Sequence, residues 1–169
     1  NSAFEGFKSG DYTFRNEASS KIWATAYDFP ALTKGWVNKT TIKDGTLASG
    51  QSFVFNLRKQ KFQDIRVRKA IGLMFNFEWS NKTLFYGLYE RINSFWDNSD
   101  LSASGMPTPN ELEILNMLED YLDPVNFSDP VFTFPKSSTK QLDRKSLRSA
   151  SVLLDSAGWL IGNDGLRRN

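Results

Sequence analysis

The alternation of apolar and polar residues divides the first third of the chain into short helices and strands. AFEGFKS (residues 3–9) spaces its two Phe residues as a helix does, and Gly10 is a typical residue for ending one. Ser19 and Ser20 can each cap a helix in KIWATAYDF, which Pro30 ends. A period of two predicts strands in DYTFR (11–15), GWVNKTTIKD (35–44) and SFVFNL (52–57).

The pattern in the rest of the chain is mainly helical. Asp64 precedes a long helix whose inward positions follow the i, i+3, i+4, i+7 rule: Val67, Ala70, Ile71 and Met74. Further helices are predicted at residues 77–89, 110–121 and 144–156, the last with Leu147, Ala150, Val152 and Leu153 facing inward. A hairpin turn follows at 162–165. This order of elements predicts an α/β fold in which a mixed sheet is flanked by helices.

The composition is that of one globular domain without the residues that most enzymes use. The chain has 169 residues, of which 40% are hydrophobic and 24% are charged, and a formal net charge of +2. It contains no Cys and no His, which excludes disulfides, thiolate chemistry and every nucleophile–histidine pair. No apolar run reaches the ~20 residues that cross a bilayer. We therefore expect no enzymatic activity, no metal or cofactor, and no membrane-spanning segment.

The two ends of the chain predict a piece of a longer polypeptide. The sequence does not begin with Met, contains no signal segment, and starts inside a predicted helix. It stops shortly after the predicted hairpin turn. We therefore expect further residues on both sides of it.

The segment QSFVFNLRKQKFQDIRVRKA (51–70) holds six Lys or Arg residues and one acid, Asp64. Arg66 and Lys69 share a helix face and Arg68 lies on another, so the cations form no continuous stripe. A nucleic-acid surface needs charge along a whole face with interleaved aromatics, so we expect no nucleic-acid partner. Because Asp64 at the helix start can cap it and pair with the arginines, we interpret the cluster as a structural ion-pair joint.

The same region resembles the signature of the bacterial extracellular solute-binding proteins, family 5, the peptide-binding subunits of ABC transporters. The matching residues are Phe55, Asn56, Phe62, Asp64, Arg66, Val67, Arg68, Ala70 and Ile71. Lys61 and Asn76 stand where the family has Pro and Asp. Residues 3–32 and SASVLLDSAGW (149–159) are similar to other elements of the family, and residues 84–115 are similar to its YejA-type group.

The resemblance implies a two-lobed periplasmic binding protein of type II, in the peptide-binding class. Residues 1–169 would belong to the second, C-terminal lobe, with the first lobe and the remainder of the second outside this chain. Ligand binding would close the two lobes like a hinged clamp. The ligands would be oligopeptides, including peptide conjugates such as microcin C, and the partner an ABC permease in the inner membrane.

The resemblance also implies a monomer in the periplasm of a Gram-negative bacterium, exported by a signal peptide that is not in this chain. The Asp that holds the peptide amine in the family would lie beyond Asn169.

The candidate ligand-binding residues lie at a predicted helix start and beside a polar loop. Arg15, Asn16 and Glu17 end a predicted strand before a helix, where α/β crevices usually bind ligands. Ser20 could cap that helix or donate to a ligand, and Trp23 could pack in the core or form a ligand platform. Two aromatic residues near the loop are further candidates, although core packing is favoured for both: Tyr86 and Trp96. The residues of the signature assigned to structure are Asn56, Phe62, Asp64, Arg66 and Arg68.

Two other functions compete with peptide binding. A free-standing α/β interaction domain could dock an acidic partner through the basic turn, and a carboxylate-based enzyme such as a glycosidase would need no His. Glu111, Glu113, Glu119 and Asp120 have the pattern of a solvated helix face, which gives the enzyme little support.

Overall fold

The computed structural model of the protein describes residues 2–43 and 45–169. They form two compact units: unit 1 comprises residues 2–43, 76–90 and 138–142, and unit 2 comprises residues 45–75, 91–137 and 143–169. The described helices are α1 (Ser2–Ser9), α2 (Ser20–Thr25), α3 (Pro30–Thr33), α4 (Ile65–Met74), α5 (Phe77–Leu84), α6 (Pro109–Asn116), α7 (Val125–Ser128) and α8 (Arg144–Ser156). Short 3-10 helices occupy Gln60–Phe62 and Glu119–Tyr121, and β1 (Leu160–Ile161) pairs with β2 (Arg167–Arg168).

Unit 1 has an aromatic core. Phe4 and Phe7 on α1 and Phe29 before α3 are buried, because the spacing of the first two places both on one side of the helix. Ring contacts between 5.2 and 6.5 Å connect these three side chains to their aromatic neighbours. We call the connected set the aromatic cluster: Phe4, Phe7, Tyr12, Trp23, Tyr27 and Phe29.

Unit 2 contains a helix pair in which α4 packs against α8. The buried side chains are Val67 and Ala70 on α4 and Ala150 on α8, and their small size permits close approach. Both helices begin at an Asp N-cap: Asp64 accepts from the Arg66 N–H at 2.8 Å, and Asp143 accepts from two N–H groups of α8. These caps satisfy amides that have no partner inside the helix.

The hairpin β1–β2 is attached to α8 by one arginine. Arg167 donates to the Asp155 carboxylate at 2.5 Å, to the Ser151 hydroxyl at 2.6 Å and to the Trp159 carbonyl. Its guanidinium therefore joins the end of the helix to the strand that follows the predicted turn.

Helix predictions from the sequence are largely confirmed, with four corrections. α2 ends at Thr25 and does not extend to Phe29, and Pro30 is the first residue of α3 instead of the residue that ends α2, because proline is well suited to the first position of a helix. α8 has the predicted bounds, but α6 ends at Asn116 and a separate 3-10 helix follows. α5 stops at Leu84 because Tyr86 and Gly87 adopt left-handed φ angles of +58° and +74°, which cannot continue a right-handed helix. Three side chains predicted to face inward are exposed, since the neighbouring helix covers only part of each apolar face: Met74, Leu147 and Val152.

The mixed sheet is not confirmed, because none of the three predicted strands is a strand in the described residues. The sheet found there is the two-stranded hairpin β1–β2 alone. Phe53 and Val54, in the middle of the third predicted strand, are 92% and 89% exposed. An alternating pattern identifies the faces of a strand but supplies no neighbouring backbone to pair with, and pairing is what makes an extended segment a strand. Asp44, at the end of the second predicted strand, lies outside the described residues.

No helix in the described part of the chain is long and apolar enough to cross a membrane.

Candidate functional site

The segment between α1 and α2 is organised by an ion pair whose side chains are largely buried. Arg15 Nε and Nη2 donate to Glu17 Oε2 at 3.0 and 2.9 Å, and the two side chains are only 13% and 4% exposed. Arg15 also donates to the Tyr12 hydroxyl at 3.2 Å, which itself donates to the Ala3 carbonyl at 2.5 Å. The other carboxylate oxygen of Glu17 accepts from the Ser19 N–H at 3.0 Å. The Arg15 guanidinium and the Glu17 carboxylate therefore each have partners that compensate for the water they lose on burial.

These contacts set the charge state of the pair. Burial by itself raises the pKa of Glu17, but the hydrogen bonds from Ser19 and Arg15 outweigh it, so the pKa lies below its ordinary value of 4.5. Hydrogen bonds to Tyr12 and Glu17 raise the pKa of Arg15 further above its already high value. The pKa of Tyr27 is raised, first by burial and then by the charge of Glu17. Glu17 is therefore ionised and Tyr27 neutral at physiological pH.

Helix α2 presents Ser20 and Trp23 on one side, because they lie three residues apart. Ser19 is the N-cap, its hydroxyl accepting from the Ile22 N–H at 3.3 Å, and Ser20 is the first helical residue. The half-buried indole of Trp23 contacts the Tyr27 ring at 5.5 Å. Trp23 therefore borders the aromatic cluster without being enclosed by it.

Lys39 reaches back to this border from the extended segment after α3. Its ammonium lies 4.4 Å from the centre of the Trp23 ring and 5.3 Å from that of Tyr27, and it donates to the Trp23 carbonyl at 2.5 Å. Two aromatic faces and a carbonyl thus hold one cation. Sequence analysis missed Tyr12, Tyr27 and Lys39 as parts of this arrangement, and no local signal in the sequence marks Lys39.

The structure brings together only some of the candidate residues. Arg15, Glu17 and Trp23 are joined through Tyr12, Tyr27 and their neighbours, as described above, while the intervening Asn16 is exposed. Tyr86 lies in the turn after α5 and is 42% exposed. Trp96 belongs to unit 2, in a turn where the Ser99 hydroxyl donates to its carbonyl at 2.6 Å, and it is 51% exposed.

The signature residues around α4 make structural contacts. The carboxylate of Asp64 caps α4 and forms an ion pair with Arg66 at 2.6 Å, which lowers the pKa of Asp64. Arg66 also donates to the Ser156 carbonyl at 2.6 Å and thereby joins α4 to the end of α8. Arg68 donates to the carbonyls of residues 62 and 63 at 2.7 and 2.8 Å. The Phe62 ring packs on that of Phe55 at 5.1 Å, and the Asn56 side chain accepts from the Arg58 N–H.

Asn76, where the family has Asp, has a role that Asp could fill only in part. Its side-chain oxygen accepts from the Trp79 N–H and so caps α5, and its amide nitrogen donates to the Lys140 carbonyl at 2.7 Å. An ionised Asp could make the first bond but not the second, because a carboxylate has no proton to donate. Lys61, where the family has Pro, lies in the 3-10 helix with its ammonium 5.0 Å from the Phe62 ring centre.

Within residues 2–43 and 45–169, no group of three or more acidic side chains is arranged to hold a metal ion.

The family model described as bacterial extracellular solute-binding proteins, family 5 Middle, matches residues 1–168. The chain belongs to this family, which consists of substrate-binding proteins and not of enzymes, and membership implies the two-lobed periplasmic binding fold.

Within the family, the chain is similar to YejA-type proteins. It is 44% identical over 163 residues to the probable peptide-binding protein YejA of Agrobacterium fabrum, a match that covers 95% of this chain and 26% of the relative. It is 36% identical over 161 residues to the uncharacterized protein YejA of Escherichia coli, a match that covers 95% of this chain and 26% of the relative. It is 30% identical over 168 residues to the peptidoglycan-binding protein YepA of Agrobacterium fabrum, a match that covers 95% of this chain and 27% of the relative. The chain spans about a quarter of the length of these relatives.

Proposed function

We propose that this chain is part of the substrate-binding component of an ABC transporter, which captures oligopeptides between two lobes and delivers them to an inner-membrane permease. The single observation that supports this most is the match of residues 1–168 to the solute-binding family, together with the similarity to a relative named as a probable peptide-binding protein. In this proposal the chain belongs to the second lobe of a monomeric periplasmic protein. Conjugates of the microcin C kind are included among its ligands.

The geometry supports a ligand surface at the start of α2. The largely buried pair of Arg15 and Glu17 fixes the backbone of the segment, while Asn16 is exposed and Ser20 and Trp23 are half-buried. A rigid support with an accessible indole and short polar side chains suits an extended peptide, which needs apolar contact and hydrogen-bond partners at intervals. Tyr86 and Trp96 are proposed as additional aromatic contacts, each accessible within its own unit.

The test is peptide titration of the full-length protein by calorimetry, with Trp23→Leu and a matched control, Trp36→Leu. Trp36 lies in the same unit, is 75% exposed and also has a lysine over its ring, Lys34 at 4.6 Å. We expect Trp23→Leu to weaken peptide binding roughly tenfold, because an aromatic platform contributes much of the contact area in such sites, and Trp36→Leu to leave it unchanged. Equal effects of the two changes would remove Trp23 from the proposed site.

The 169 residues alone should bind peptides no more tightly than about 1 mM, because a single lobe covers only one side of the ligand. Micromolar binding by this chain would contradict capture between two lobes.

A further inference from the structure

Three cations lie on rings of the aromatic cluster in the described residues, and they differ in how their charge is compensated. Lys8 and Arg15 lie over the Phe4 ring, each 5.3 Å from its centre. Lys8 pairs with Glu5 at 2.8 Å and Arg15 pairs with Glu17 at 2.9 Å. Lys39 is the third, and none of the described carboxylates pairs with it, since its contacts are the rings of Trp23 and Tyr27 and the Trp23 carbonyl.

The groups that hold Lys39 fix its position without cancelling its charge. A ring face and a carbonyl attract an ammonium through partial charges, and neither is ionised. The ammonium has three N–H donors, and the bond to the Trp23 carbonyl uses one of them. A cation that is held in place and keeps free donors needs little reorganisation to accept an anion.

From this contrast we propose that the Lys39 ammonium, held over Trp23 and Tyr27, is a binding site for a carboxylate of the peptide ligand. The proposal rests on the proposed function and adds to it the class of ligand group that the start of α2 recognises. The carboxylate takes the role that Glu5 and Glu17 have for the other two cations. The indole of Trp23 offers apolar contact to the residue that bears the carboxylate.

The experiment measures the affinity of the full-length protein for two forms of one short peptide, with a free C-terminal carboxylate and with a C-terminal amide. The variants are Lys39→Met, which keeps an unbranched apolar stem over the rings, and Lys39→Arg, which keeps the charge. Lys34→Met is the matched control, because Lys34 also lies over an indole in unit 1, at 4.6 Å from the Trp36 ring centre.

We expect the unchanged protein and the Lys34→Met variant to bind the free acid about tenfold more tightly than the amide, the order of one charge-assisted contact. Lys39→Met should lose this preference while its affinity for the amide stays the same, which a mere loss of folding would not produce. Lys39→Arg should keep the preference.

Three results would overturn the proposal. The first is an equal affinity of the unchanged protein for acid and amide. The second is a preference for the acid that persists in Lys39→Met, and the third is a loss of this preference in Lys34→Met as large as in Lys39→Met. Failure of the unchanged protein to bind either peptide would instead overturn the proposed function on which this inference depends.

Discussion

Two Arg–carboxylate pairs, one in each unit, join residues two apart in the sequence and have different surroundings. In unit 1, the side chains of Arg15 and Glu17 are 13% and 4% exposed, whereas those of Arg66 and Asp64 in unit 2 are 47% and 30% exposed. The first pair holds the segment before α2 in place within unit 1. The second pair lies at the surface, where its carboxylate caps α4. An Arg–carboxylate pair therefore contributes to stability in different ways in the two units. Water already solvates the pair of Arg66 and Asp64, whereas it cannot reach most of the pair of Arg15 and Glu17.

The largest effect should follow from breaking the largely buried pair of Arg15 and Glu17. Glu17→Ala leaves the Arg15 guanidinium without its carboxylate and the Ser19 N–H without its acceptor. We expect the melting temperature to fall by about 6–15 °C. The double variant Arg15→Met, Glu17→Met should recover a large part of this loss, because apolar side chains of similar length need no counter-charge. A thermal melt that shows no recovery would mean that the hydrogen bonds, and not the charges, hold the segment.

Acid should weaken the protein through the same carboxylates. The pKa of Glu17 lies below its ordinary 4.5 and that of Asp64 below its ordinary 3.8. Because the unfolded chain then binds more protons, the stability from each group is present above its ordinary pKa and is lost as the pH falls through the lower, folded pKa. We expect melting temperatures to fall steadily from about pH 5 to pH 3, and Glu17→Gln to flatten this fall more than Asp64→Asn. Parallel curves for Glu17→Gln and the unchanged protein would contradict the assignment.

The exposed pair should matter less and mainly through the cap. Asp64→Ala removes both the acceptor for the Arg66 N–H and the partner of its guanidinium. We expect the melting temperature to fall by about 2–5 °C. The melting temperature of Asp64→Asn should fall by less than half as much, because Asn caps a helix about as well as Asp does. Equal losses in the two variants would show that the ion pair is the larger contribution.

The smallest effect should come from a third pair, Lys8 with Glu5, on the outer side of α1. The Glu5 side chain is 66% exposed, so solvent competes for both charges. We expect Glu5→Ala to change the melting temperature by no more than about 2 °C. If Glu5→Ala lowered the melting temperature as much as Glu17→Ala does, burial would not be the quantity that ranks the three pairs.

The sequence predicted the parts of the fold whose causes are local. The helix from Arg144 to Ser156, the long helix after Asp64 and the capping of α2 by Ser19 all follow from side-chain spacing and from residues next to the helix end. The candidate site was predictable in the same measure: the position of Arg15 to Glu17 before a helix start is visible in the sequence. That Arg15 and Glu17 pair with each other in a nearly enclosed site is not, because the groups around them include the Phe4 ring and Tyr27, which are not their neighbours in the sequence.

What the sequence by itself determined is the family, the long helices α4 and α8, the caps of α2 and α4, and the absence of histidine and cysteine chemistry. Only the tertiary structure decided which charges are compensated. Lys39 lies 16 residues from Trp23, and nothing in its neighbourhood distinguishes it from the other lysines of the chain until the fold brings it over two rings. The reason is physical: a helix end is stabilised by groups within a few residues, whereas the environment of a charge is the sum of everything the fold places around it.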